Sequence, residues 1–95
     1  MSQQEPVERE VQIVNRAGMH ARPAAEFVKV AGRFTADIRV EKDGLEVNGK
    51  SIMGVLMLAA EHGSSLRLIA EGADATDALE ALSDLVGRGF EELEA

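Results

Sequence analysis

The chain has 95 residues, 45% apolar and 28% charged, with a net charge of −7: one small domain, too short for a large enclosed active site. It has no cysteine, which excludes disulfides, thiol catalysis and cysteine-held zinc; its only aromatics are Phe27, Phe34 and Phe90, a poor supply for stacking nucleic-acid bases. No apolar run approaches the ~20 residues of a membrane span and the N-terminus is polar and acidic, so a cytoplasmic protein that binds neither membrane nor nucleic acid is expected.

Residues 1–6 are expected to be a loose tail, with a single domain over 7–95. Val7, Arg9, Val11 and Ile13 alternate with Glu8, Glu10 and Gln12, the pattern of a half-buried strand. Gly18 lies in the break that follows. Ala24, Phe27, Val28 and Ala31 then fall on one helical face, with Gly32 placed to end the helix in the left-handed conformation. Phe34, Ala36, Ile38 and Val40 alternate as a second strand. Asp43-Gly44 turns the chain into a third strand through Leu45 and Val47. Ser51 is placed to cap a short helix starting at Ile52. Leu66, Leu68 and Ala70 mark a fourth strand, and Leu79, Leu82, Val86 and Phe90 a last helix. The order β-α-β-β-α-β-α predicts an α+β fold. Strands with one apolar face and three helices read as two layers, the helices stacked on one side of a mostly antiparallel sheet.

Charge is unevenly distributed. From Asn15 to Arg33 the bases Arg16, Arg22, Lys29 and Arg33 face one acid, Glu26, whereas from Glu71 onward Arg88 is the single base among many acids. The acidic end reads as a solvated helix. The basic stretch is more informative. In Gly18-Met19-His20-Ala21-Arg22-Pro23, His20 lands where the first helix begins, and Pro23 is tolerated in a first turn. Free first-turn amides and the positive end of the helix dipole make that position an anion site. A neutral imidazole is a nucleophile near neutral pH, and Arg22 can place a guanidinium on an anion carried by the ring. This combination suits transient phosphoryl attachment, although on spacing alone an ordinary polar loop histidine remains the alternative. His62 has no ligand partners to make a metal site, and no serine lies in a nucleophile-elbow context, so no metal or other cofactor is expected.

The second unusual segment is Lys50-Ser51-Ile52-Met53-Gly54-Val55-Leu56-Met57-Leu58-Ala59. A short helix buries one stripe, here Val55, Leu58 and Ala59, yet Ile52, Met53, Leu56 and Met57 are apolar as well. Exposed apolar surface beside Ser51 is expected, of the kind that docks partners. A helix buried more completely is the alternative.

NRAGMHARPAAEFV resembles the active-site segment of the histidine-containing phosphocarrier (HPr) family of the bacterial phosphotransferase system. NGKSIMGVLMLAA resembles that family's second signature, around its regulatory serine. The resemblance runs from Val7 to Phe90 and implies an open-faced β-sandwich, a four-stranded antiparallel sheet with three helices on one face. It implies that His20 carries phosphate on Nδ1, that Arg22 is the active-centre arginine, and that the amides of Ala21 and Arg22 bind the phosphate. It implies further that Ser51 is modified by an ATP-dependent kinase and that Ile52, Met53 and Leu56 dock partners. Those partners would be the phosphotransferase system's first enzyme, an acceptor domain of the EIIA type in sugar transport, and a serine kinase/phosphorylase, with the carrier itself a monomer and not an autonomous catalyst. Many sugar-transport members carry Asn or Ser three residues before the histidine. Here Ala17 stands there, a form that resembles nitrogen-branch and other regulatory members, while KSIMGV resembles members controlled by the serine kinase. The rival expectation is a regulatory binding module acting mainly through the Ser51/Met53 surface.

Overall fold

The computed structural model describes residues 5–92. The expected tail lies mostly outside the described residues; its last two positions, Glu5 and Pro6, are exposed and belong to no element. In chain order come β1 (Val7–Gln12), α1 (Ala21–Ala31), β2 (Asp37–Lys42), β3 (Leu45–Asn48), α2 (Ile52–Met57), β4 (Ser65–Glu71) and α3 (Ala75–Gly87), followed by one tight turn at Gly89–Glu91. The strands form one sheet in the order β1-β4-β2-β3, every neighbouring pair antiparallel.

Strand alternation decides which face is buried. Register places Val7 and Val11 of β1 beside Ala70 and Leu66 of β4, and Val40 of β2 between Leu68 and Val47. Ile38, Val40, Leu66, Leu68 and Ala70 are buried under the helices, which contribute Ala24, Phe27 and Ala31 from α1 and Leu79, Leu82 and Val86 from α3. The alternate residues cover the open face with charge. Arg67 bridges Glu8 and Glu41, and Arg39 bridges Asp37 and Glu46. A recess of about 480 Å³ on that face, lined by Glu10, Lys42 and Ser65 among others, contains none of the residues singled out for chemistry. Among the described residues no helix is long and apolar enough to cross a membrane.

Three local expectations differ from the structure. Gly32 is not left-handed: its φ is −68°, and the chain leaves α1 through right-handed turns in which Gly32, Arg33 and Phe34 donate to Val28, Val30 and Ala31. The second strand begins at Asp37 and not Phe34, because the amides of Thr35 and Ala36 donate to the Asp74 carboxylate, at 2.9 and 2.8 Å, instead of joining the ladder. The last helix stops at Gly87. Phe90 is buried as its periodicity suggested, but from the turn beyond the helix, where Gly89, Phe90 and Glu91 have φ of 65°, 58° and 59°. Two of these left-handed residues are not glycine, each costing on the order of 1 kcal/mol or more. Burial of the Phe90 ring and the pairing of Arg88 with Asp84 and Glu91 hold the turn.

Candidate functional site

The connection from β1 to α1 is pinned from three sides. Asn15 is buried and its Nδ2 donates to the Gly18 carbonyl at 2.8 Å, while the Gly18 amide donates back to the Asn15 carbonyl at 3.1 Å. The amide of the buried Met19 donates to the Ala60 carbonyl at 2.8 Å, tying this loop to the segment after α2. Gly18 is required on two counts. Its φ is +76°, and a Cβ there would stand 2.7 Å from the Ala60 carbonyl oxygen.

This loop delivers His20 to the N-cap of α1 with an extended backbone and no side-chain cap of its own. The Ala21 and Arg22 amides have no backbone partner among the described residues; the first helical bond runs from Ala24 to the His20 carbonyl. There is no acid in the first turn of α1. The result is an open cluster of amides at the positive end of an 11-residue helix, beside an imidazole whose side chain is 42% exposed. Arg22 reaches outward, largely in solvent.

One residue of this centre was not singled out in the sequence. Glu92, just past the left-handed turn, places one carboxylate oxygen 2.8 Å from His20 Nε2 and 2.9 Å from Arg22 Nη2. Its other oxygen accepts from Asn15 Nδ2 at 2.9 Å. Burial would push this carboxyl up, but the hydrogen bonds from Asn15 and His20 and the charges of His20 and Arg22 outweigh it and hold it below the usual carboxylate range. The acidic C-terminal quarter read as a solvated surface, and one of its acids instead closes on the histidine. The one sequence signal is Gly89, a glycine inside the apparent helix periodicity three residues before Glu92.

The start of α2 is built differently. Ser51 is its N-cap, and its Oγ accepts from the Gly54 amide at 3.1 Å. Lys50 beside it donates from Nζ to the Phe34 carbonyl at 2.7 Å. Beyond Ser51 the side chains of Met53 and Met57 are 67% and 65% exposed and Ile52 is 40% exposed, whereas Val55 and Leu58 are buried. Leu56, expected in the exposed group, is half-buried against the core; Ala59, expected in the buried stripe, is exposed. The structure thus brings His20, Arg22 and the Ala21 amide together at one helix start, and Ser51, Ile52 and Met53 at another. The two helices α1 and α2 pack against each other.

The family described as "PTS HPr component phosphorylation site" matches residues 7–88. The chain belongs to the HPr family. It is 50% identical to the phosphocarrier protein HPr of Treponema pallidum, over 86% of this chain and 93% of that one. It is 53% identical to the HPr-like protein Crh of Halalkalibacterium halodurans, over 80% of this chain and 90% of that one. Among solved structures, the HPr of Thermoanaerobacter tengcongensis superposes with a TM-score of 0.89 at 45% identity, covering 93% of this chain and 99% of that chain. HPr-family membership agrees with the four-stranded antiparallel sheet and three helices described above.

Proposed function

We propose that this member of the HPr family is a cytoplasmic phosphocarrier working as a single copy. His20 accepts a phosphoryl group from the phosphorylated first enzyme of the phosphotransferase system and hands it to an acceptor domain of the EIIA type. The observation that carries this is the placement of an exposed imidazole at a helix start whose Ala21 and Arg22 amides are open, with the Arg22 guanidinium alongside. Phosphoryl transfer needs positioning and charge stabilisation more than covalent chemistry from the protein. The amides and Arg22 supply charge stabilisation, and the docked enzymes supply the rest. Ile52, Met53 and the exposed part of Leu56 form the docking surface. Ser51, at its edge, is the regulatory position: a phosphate there adds ~1.5–2 negative charges beside apolar side chains that must lose water on docking.

The test is intact-mass analysis after incubation with phosphoenolpyruvate and the family's first enzyme. One phosphoryl group per chain is expected, labile in acid and stable in alkali as a phosphoramidate is. It should leave when an acceptor domain is added. An unmodified mass under conditions that load a known HPr would overturn the proposal.

The exposed Met53 surface supports a second reading, a regulatory module that binds partners through Ser51 and Met53 independently of sugar uptake. Its mark would be a partner that binds the Ser51-phosphorylated chain and keeps its affinity in a His20→Ala variant.

A further inference from the structure

Glu92 and Asn15 form a device that neither the amide cluster nor Arg22 requires. An ionised carboxylate only accepts hydrogen bonds, so in the contact between Glu92 Oε2 and His20 Nε2 the ring nitrogen is the donor. The proton therefore sits on Nε2, and in the neutral ring the lone pair sits on Nδ1. Glu92 is itself held. Asn15 is buried, its side-chain oxygen Oδ1 has no partner among the described residues, and its side-chain Nδ2 donates to both Gly18 and Glu92. The left-handed run Gly89-Phe90-Glu91 fixes the approach of the backbone, with Phe90 anchored in the core. A strained turn, a buried amide and a nearly buried carboxylate all converge on one ring nitrogen.

We propose that Glu92, oriented by Asn15, is a positioning residue that keeps the His20 proton on Nε2, presents Nδ1 as the phosphoryl acceptor and stabilises the charged ring that results. This rests on His20 being the acceptor. In the step, the Nδ1 lone pair forms the new N–P bond while the bond from phosphorus to the phosphorylated first enzyme breaks and its electron pair leaves with that enzyme. The His20 ring, bonded to phosphorus at Nδ1 and to a proton at Nε2, then carries positive charge. The Glu92 carboxylate, 2.8 Å from Nε2, faces that charge. Glu92 engages one nitrogen of Arg22, which leaves other donors of the guanidinium fork for the arriving phosphoryl oxygens.

The test uses the full chain labelled with ¹⁵N at histidine, read by NMR together with the rate of phosphoryl acceptance. In the wild type, a hydrogen-bonded proton on Nε2 and an unprotonated Nδ1 are expected for the neutral ring. In Glu92→Ala that proton signal is lost to exchange with water, and acceptance slows roughly ten-fold while the unfolding midpoint stays in place. Asn15→Ala, if it folds, moves both readouts the same way; Glu92→Gln, which keeps an acceptor oxygen without the charge, retains more of the proton signal than of the rate. Unchanged ring signals and an unchanged rate in folded Glu92→Ala, with the wild type accepting phosphate normally, would overturn the positioning role alone. Failure of the wild type to accept phosphate would instead remove the carrier function on which that role depends.

Discussion

The two helix starts solve the same problem in opposite ways. Each begins after an extended residue, His20 before α1 and Ser51 before α2. Ser51 satisfies its own helix, its hydroxyl accepting from the Gly54 amide. His20 does not cap α1 at all and leaves the Ala21 and Arg22 amides for something else. The surroundings follow the same division. The α1 start is polar, with Arg22 and the Glu92 carboxylate around the imidazole. The α2 start is flanked by exposed Ile52 and Met53. An unfilled set of amides suits a transferable anion; a satisfied cap with an apolar rim suits a surface that docks and can be modified.

The strongest way to break this comparison is to remove the cation from the first start. Arg22→Ala is expected to slow phosphoryl acceptance about 100-fold, the size of effect seen when a charge-stabilising donor is lost from a reacting site. Stability should fall by no more than about 1 kcal/mol, because the Arg22 end of its pair with Glu92 is largely in solvent and Asn15 and His20 still hold the carboxylate. Stopped-flow or quenched labelling beside thermal unfolding reads both. A rate loss matched by unfolding would mean that Arg22 is structural.

At the second start, Met53→Asp is expected to weaken binding of the first enzyme by ~10–30-fold, as truncating an interface anchor does, with stability changed by no more than ~0.5 kcal/mol. Calorimetric titration against that enzyme checks it. A large loss of stability with unchanged affinity would place Met53 in the core, against its 67% exposure.

How much of this contrast could be read in advance depended on range. Periodicity located β1, β2, β4, α1 and α3 because each sets apolar side chains against a neighbour, the Asp43-Gly44 turn with a short alternation located β3, and the Ser51 cap, whose donor lies three residues away, located α2. The true start of β2 was hidden, because Thr35 and Ala36 are claimed by Asp74, 39 and 38 residues on. Glu92 was hidden more deeply. Its contact with His20 spans 72 residues and depends on a left-handed turn through Phe90 and Glu91, residue types that do not advertise positive φ. Phe90 looked like the next residue on a helix face and is instead the anchor of that turn.

Smaller effects sharpen the same contrast. Ser51→Ala removes a cap and is expected to destabilise the fold by ~1 kcal/mol while leaving acceptance at His20 within about two-fold. Thermal unfolding and the labelling rate separate the two. The helix start at α3 offers a third case: Asp74 makes no cap to its own helix and instead accepts from Thr35 and Ala36. The Thr35 amide above all, with Ala36 and the Thr35 hydroxyl, holds its carboxyl below the usual range against a raising effect of burial. A depressed folded pKa gives stabilisation that is complete above the unfolded value of ~3.9 and is lost as pH falls through the lower folded value. The unfolding midpoints of wild type and Asp74→Asn should therefore differ near neutral pH and converge on acidification. A constant gap across that range would mean that the amides do not depend on the charge.

The division of labour is tested most directly by mapping the phosphoryl group on the chain after labelling with phosphoenolpyruvate and the first enzyme. Fragments prepared and kept under alkaline conditions should carry it on His20 alone, with none on His62 or on Ser51, and a His20→Ala chain should remain unlabelled. A phosphoryl group on His62, or full labelling of His20→Ala, would contradict the assignment of the open helix start as the acceptor.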